Sequence, residues 1–230
     1  MSGGILGEVS RHLKGDELVL DPFGGTGRTH LIAVPTVCVE LEWEWTVLSH
    51  ELALQERHRN ALPGVSPQPV ATVAGDALHL PFRDRSFDAI VTSPTYGNRY
   101  ADHHVARDGS KRRSYQHDLG RPLSPSNSGA LQWGTAYQEF HRAAWTEACR
   151  VLKPNGVFVL NCKDHVRRGT RQFVTDWHVG CLESLGLAVT SRSKVPSRGL
   201  RMGRSSARRV DFEEVVVLRR PRPTDGPKHD

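Results

Sequence analysis

Leu18-Val19-Leu20-Asp21-Pro22-Phe23-Gly24-Gly25-Thr26-Gly27 is the stretch on which the fold turns. Its first three residues form a short apolar run, which reads as a buried strand. The run ends on an acid and passes into a proline and three glycines, after which a helix is expected from Arg28 onward. Strand, glycine turn and helix in that order make a nucleotide-type binding turn. The glycines let backbone approach a ligand closely, and a helix start offers unpaired N–H groups. The spacing is neither the G-x-G-x-x-G of dinucleotide binding nor a P-loop, which needs a Gly-Lys-Ser/Thr. Without the flanking strand, a plain glycine turn would read the same way.

The rest of the chain alternates in the same manner. Residues 5–13 form a short helix that Gly15 ends. A second strand, 36–39, ends in Glu40. An acid there, 19 residues after Asp21, typically holds ribose hydroxyls; with Glu42 and Glu44 nearby, a solvated charge is the other reading. Trp43 and Trp45 open a helix to about residue 61 and are expected to pack. Residues 63–69 are a turn-rich linker. The third strand, 70–74, closes on Gly75-Asp76-Ala77, where Asp76 is placed to accept a hydrogen bond from an adenine amine. A fourth strand, 88–91, leads into Thr92-Ser93-Pro94-Thr95-Tyr96-Gly97. An amphipathic helix over 135–152, a turn at 153–156 and a fifth strand at 157–161 follow. A helix over 170–185 precedes two closing strands, 187–190 and 212–218, paired antiparallel. Unbroken apolar strands of this kind belong to a sheet covered on both faces.

Ligands of open α/β sheets sit beyond the carboxyl ends of strands, which is where Ser93 to Tyr96 fall. Ser93 supplies a hydroxyl, Pro94 a carbonyl and Tyr96 a flat ring. That set suits a planar group bearing an NH2, with the two oxygens accepting the amine hydrogens and the ring stacking. Taken alone, an ordinary strand-to-loop turn has the same composition.

With 230 residues the chain is expected to form one domain over 1–220, ending in a disordered tail over 221–230. The net charge of +6 favours an anionic partner. Two basic stretches concentrate it. One is a long insertion, 98–134, with Arg99, Arg107, Lys111, Arg112, Arg113 and Arg121, a candidate nucleic-acid clamp. The other is the 191–211 connection, with Arg192, Lys194, Arg198 and Arg201. His103-His104 lacks a third ligand at a persuasive spacing, so no metal is expected. Cys38, Cys149, Cys162 and Cys181 show no C-x-x-C and read as reduced core residues of a cytoplasmic protein. No run approaches the ~20 apolar residues of a membrane span, and the N-terminus has no signal-peptide pattern. Oligomeric state is not legible.

Together, Asp21-Pro22-Phe23-Gly24-Gly25-Thr26-Gly27, Glu40, Asp76 and Ser93-Pro94-Thr95-Tyr96 resemble the S-adenosylmethionine-dependent amino-methyltransferases of nucleic acids, over roughly residues 18–218. The first motif is similar to that family's D-P-F-x-G-x-G cofactor loop, the last to its [D/N/S]-P-P-[Y/F/W] catalytic motif. The resemblance implies an α/β, class I Rossmann-like fold: a seven-stranded, mostly parallel sheet with an antiparallel closing strand and helices on both faces. It implies S-adenosylmethionine held by Asp21, Phe23, Gly25, Thr26, Gly27, Glu40, Asp76 and Ala77, and catalysis by Ser93, Pro94 and Tyr96. It implies methylation of DNA at a flipped base, cytosine N4 ahead of adenine N6, of the kind used in restriction–modification; an RNA base or a protein glutamine is the alternative substrate, and a catalytically weak, nucleic-acid-binding accessory subunit is the rival reading. Three features depart from the pattern. Thr95 replaces the second proline, so a less stiff turn is expected. Arg28 replaces a small hydroxyl residue, and no separate target-recognition domain is visible.

Overall fold

The computed structural model describes residues 1–59, 68–97, 119–167, 169–197 and 209–221. Most of the 98–134 insertion, the 198–208 part of the second basic connection, most of the 63–69 linker and nearly all of the expected tail lie outside these residues. In chain order the elements are α1 (Gly3–Ser10), β1 (Val19–Asp21), β2 (Thr36–Glu40), α2 (Trp43–Arg59), β3 (Val70–Ala74), β4 (Phe87–Thr92), α3 (Thr135–Val151), β5 (Leu152–Cys162), β6 (His165–Arg167), β7 (Thr170–Gln172), α4 (Val174–Ser184), β8 (Ala188–Pro196) and β9 (Phe212–Arg219).

Seven strands form one sheet in the order β3-β2-β1-β4-β5-β9-β8. β1 to β5 pair parallel, while β9 runs antiparallel to both neighbours. This is the mostly parallel, seven-stranded arrangement expected from the sequence. Alternation along the central strands divides the apolar side chains between two cores. Phe158 and Leu160 of β5, with Val216 and Leu218 of β9, pack with Trp145 and Ala148 of α3 and Val174 and Leu182 of α4. Val157, Val159, Val215 and Val217 face the other way, onto Ile5, Leu6 and Val9 of α1. Both faces are therefore covered, which is why residues 157–160 of β5 and 215–218 of β9 are all apolar. All four cysteines are buried and free. Among the described residues no helix is long and apolar enough to cross a membrane.

The structure corrects four local expectations. The helix from Arg28 onward is one four-residue 3₁₀ turn, Arg28–Leu31; Pro35 and β2 follow too soon for an α-helix to complete its turns. The 170–185 helix starts only at Val174. Residues before it form the β6–β7 hairpin, turned by Gly169 at φ 78° and tied by Asp164, which accepts from the Arg171 Nε (2.8 Å) and the Thr175 N–H (2.9 Å). The 153–156 turn belongs to β5, and a register shift between Phe87 and Ala89 accommodates it. Trp43 is 66% exposed rather than packed.

Candidate active site

A cavity of about 230 Å3 opens at the carboxyl ends of β1, β2, β3 and β4. It brings together Phe23, Gly25, Glu40, Asp76, Ala77, Ser93, Pro94 and Tyr96, eight of the residues singled out in the sequence. Asp21, Thr26 and Gly27 are not among its lining residues. Asp21 is instead a buried strut. Its Oδ1 accepts from the Phe23 N–H (3.0 Å) and Thr92 Oγ1 (2.8 Å), and its Oδ2 from Thr29 Oγ1 (2.5 Å). It thereby pins the glycine loop to the end of β4, next to Ser93. Burial raises its carboxyl above the ordinary aspartate range, against the pull of those three bonds. Gly27 packs on α2: at φ 78°, a Cβ there would lie 2.4 Å from Ser49 Oγ.

Gly25, also in the left-handed region (φ 53°), has open space where a Cβ would point. Its N–H donates to Glu40 Oε2 (2.8 Å), while Glu40 Oε1 accepts from the Glu42 N–H (2.9 Å). The Glu40 carboxylate is thus oriented by backbone donors on both of its oxygens. Burial raises its pKa, with those backbone bonds opposing. Asp76 accepts from the Leu78 N–H through Oδ1 (2.9 Å); its side chain is 29% exposed. Phe23 stacks on His141 (ring centroids 5.5 Å) and lies edge-on to Trp145, which fixes its place in the wall. Trp45 and Phe140 complete the aromatic lining.

Glu42 is not the solvated charge that its sequence context allows. Its side chain is fully buried and accepts from Arg121 Nη2 (2.8 Å), the Ser124 N–H (2.8 Å), Ser124 Oγ (3.0 Å) and Asn127 Nδ2 (2.8 Å). Burial alone would raise this carboxyl, but the bonds outweigh it and hold it below the usual range. The result is a strap, 121–128, whose Ser126, Asn127 and Ser128 wall the cavity. Arg121 also pairs with Glu44 (2.6 Å), so this part of the basic insertion is neutralised. In the second basic stretch, Arg192 likewise pairs with Glu214 and with Asp176 (2.6 Å).

The 93–97 turn is held by residues that sequence reasoning missed. Tyr137 donates its hydroxyl proton to the Thr95 carbonyl. His178 Nε2 lies 2.9 Å from the Tyr137 hydroxyl, and Trp145 Nε1 donates to His178 Nδ1 (2.9 Å). Since the indole can only donate, Nδ1 accepts, and the proton of the neutral ring sits on Nε2. Burial keeps His178 well below its ordinary pKa and lowers His141 to about 4. Thr95 Oγ1 donates to Ser128 Oγ (3.1 Å). The turn that lacks its second proline is therefore braced from outside. Gly97 at φ 60° accepts the Trp133 N–H (3.0 Å) on its carbonyl, and a Cβ on it would fall 2.9 Å from that nitrogen.

Ser93 Oγ and the Tyr96 hydroxyl lie 2.8 Å apart. Asn161 Nδ2 reaches Ser93 Oγ (3.2 Å), the Tyr96 hydroxyl (3.3 Å) and Glu213 Oε2 (2.9 Å), and Tyr96 donates to that same Oε2 (3.3 Å). Two sequence signals could have exposed these partners: Asn161 ends an otherwise apolar strand, and Glu213-Glu214 interrupts another. Among the described residues no cluster of His, Cys, Asp or Glu is suited to a metal ion.

No protein-family model matches the chain, and no curated protein does. Solved structures do. A SAM-dependent methyltransferase from Methanosarcina mazei superposes with a TM-score of 0.59 at 13% identity, over 93% of this chain and 96% of that one. A putative sarcosine dimethylglycine methyltransferase from Galdieria sulphuraria gives 0.54 at 12%, over 94% and 83%. A SAM-dependent methyltransferase from Aquifex aeolicus gives 0.52 at 15%, over 93% and 88%. At such identities the likeness is one of fold: the chain has the class I, Rossmann-like fold of these proteins.

Proposed function

We propose that the chain is an S-adenosylmethionine-dependent methyltransferase that modifies the exocyclic amine of a base in DNA, cytosine N4 ahead of adenine N6. The observation that carries this reading is that one cavity joins Glu40 and Asp76 to Ser93, Pro94 and Tyr96. The cavity fits the cofactor. Glu40 offers two preoriented acceptors for ribose hydroxyls, Asp76 an acceptor for the adenine amine, and Phe23, Trp45 and Phe140 apolar surface. Gly25 leaves room for the ligand's amino-acid end, with Ala77 beside the adenine. When bound, the cofactor supplies an electrophilic methyl group on a sulfonium.

The chain's own residues align the acceptor nitrogen. A paired base hides its amine, so the base must leave the stack, at a few kcal/mol; the Tyr96 ring, in the cavity wall, returns roughly 1–3 kcal/mol by stacking. Ser93 Oγ and the Pro94 carbonyl accept the amine hydrogens and turn the nitrogen lone pair toward the cofactor side of the cavity. Alignment and preorganised charge provide the acceleration, and no covalent intermediate is needed. A protein glutamine offers the same planar NH2. The pairing of Arg121 and Arg192 with carboxylates favours that second reading over what net charge suggests.

The test is methyl transfer from labelled cofactor to unmethylated DNA, to RNA and to a cell-extract protein fraction, with nucleoside and peptide mass spectrometry. N4-methylcytosine or N6-methyladenine in DNA is the expected product. Label found only in RNA or in protein overturns the substrate class and leaves the cofactor assignment standing.

A further inference from the structure

We infer that Glu213 is the proton acceptor of the transfer, reached through Ser93 and Tyr96; the inference rests on the amino-methyltransferase reading above. Replacing an amine N–H by N–CH3 forms a nitrogen–carbon bond from the nitrogen lone pair. The carbon–sulfur pair stays on sulfur, the N–H pair returns to nitrogen, and one proton must leave. The turn itself has no base to take it: Ser93 is a neutral hydroxyl, and the carbonyl of Pro94 does not hold a proton at ordinary pH. The carboxylates of Glu40 and Asp76 are committed to the other end of the cavity.

A route exists on the far side of the turn. Ser93 Oγ is 2.8 Å from the Tyr96 hydroxyl, and that hydroxyl donates to Glu213 Oε2 at 3.3 Å. Asn161 Nδ2, which can only give hydrogens, lies against all three members of this route. It donates to Glu213 Oε2 (2.9 Å) and to Ser93 Oγ (3.2 Å). With the Tyr96 proton given to Glu213, the Ser93 proton is free to point to Tyr96, an arrangement that leaves a lone pair on Ser93 Oγ for the amine. When the amine proton moves to Ser93 Oγ, the Ser93 proton moves to Tyr96 and the Tyr96 proton to Glu213. Both hydroxyls end as they began, and the proton rests on the carboxylate.

Glu213 is held for this role by Ser197 Oγ, which donates to Oε1 (2.7 Å) and is itself held by Lys163 Nζ (3.2 Å). The other titratable groups near Glu213 are the Cys162 thiol on β5 and the Met1 amine. Asn161 is a positioning residue: it is 1% exposed and acts only through its neighbours. The chain thus supplies from β9, at the antiparallel end of the sheet, a carboxylate that the turn lacks.

The experiment compares wild type with Glu213→Gln and Tyr96→Phe in single-turnover transfer to DNA across pH, with cofactor affinity measured by calorimetry. The glutamine oxygen still accepts from Asn161 and Tyr96, and phenylalanine keeps the stacking ring. Each variant is expected to lose at least about tenfold in rate, within the range of general-base effects, with unchanged cofactor affinity. At saturating cofactor, the fall of the rate on the acid side is expected to be weaker in Glu213→Gln than in wild type. The double variant is expected to lose no more than the worse single, because both break one chain. Wild-type rates and an unchanged pH profile in Glu213→Gln, or additive losses in the double variant, overturn the relay alone. Absence of transfer to DNA by wild type overturns the substrate reading and the relay with it. If Glu213→Gln fails to fold, Tyr96→Phe and a solvent deuterium effect on the wild-type rate decide: no effect in either defeats the relay.

Discussion

The two ends of the cavity are built in opposite ways. At the Glu40 end, contacts are short in sequence and made largely by backbone: Glu40 takes the N–H groups of Gly25 and Glu42, and Asp76 that of Leu78. At the Ser93 end, nearly every support is a side chain from a distant element, Tyr137, Ser128, Asn161 and Glu213. The first end needs only the right turn residues after the right strands. The second needs the whole fold assembled. Function follows the same division, because a cofactor is the same for many enzymes of one fold while the acceptor differs, and side chains can change without rebuilding strands.

Asp21 belongs to both ends, so breaking it should break the contrast. Asp21→Ala leaves the Thr29 and Thr92 hydroxyls and the Phe23 N–H without their acceptor. At about 1–3 kcal/mol for each buried unpaired group, we expect a loss of at least about 3 kcal/mol in denaturant unfolding. Cofactor binding and transfer should fall together. Glu40→Gln tests the backbone-built end alone: we expect roughly 100-fold weaker cofactor binding by calorimetry, the worth of about one charge-assisted hydrogen bond. In the wild type, burial raises the Glu40 carboxyl and hydrogen bonds lower that of Glu42. As pH falls, Glu40 therefore takes its proton first, at a pH above the ordinary 4.5. Affinity for the cofactor should fall through that range while the strap on Glu42 persists. The strap's contribution, present above the unfolded glutamate pKa, is lost only as pH drops through the lowered value.

Tyr137→Phe probes the side-chain-built end. It removes the donor to the Thr95 carbonyl and the acceptor of His178. About 1–3 kcal/mol of stability should go, with transfer slowed several-fold and cofactor affinity untouched. Smallest is Thr95→Val, which deletes one hydrogen bond to Ser128 and keeps the shape. We expect about 0.5–1.5 kcal/mol in stability and a rate within about threefold of wild type, because Tyr137 still braces the carbonyl. A large loss there would mean that the absent second proline is compensated by Thr95 itself rather than from α3.

The same division explains what was legible in the sequence. The central strands, and the position of Glu40, Asp76 and the 93–96 turn at their ends, were readable because apolar runs and glycine turns report local structure, whereas the sheet as a whole came from the family resemblance. The helix after Arg28 was not, because its length is set by Pro35 and by the start of β2, which periodicity does not weigh. Asn161, Glu213, Tyr137 and His178 were invisible as site residues: the first three meet the turn across separations of 42 to 117 residues, and His178 meets it only through Tyr137. Arg121 read as a phosphate ligand because its partners, Glu42 and Glu44, lie 79 and 77 residues away.

Glu42 gathers four hydrogen bonds from a single strap onto one carboxylate that water does not reach. Such a latch does not open in stages. Lifting the strap forfeits all four bonds together and returns the carboxylate to water, so opening is expected to be slow. On the methyltransferase reading, departure of the spent cofactor is expected to be slower than the chemical step. A pre-steady-state burst of about one methyl group per chain should be seen, and Glu42→Gln should quicken the steady phase while leaving the burst as fast as before.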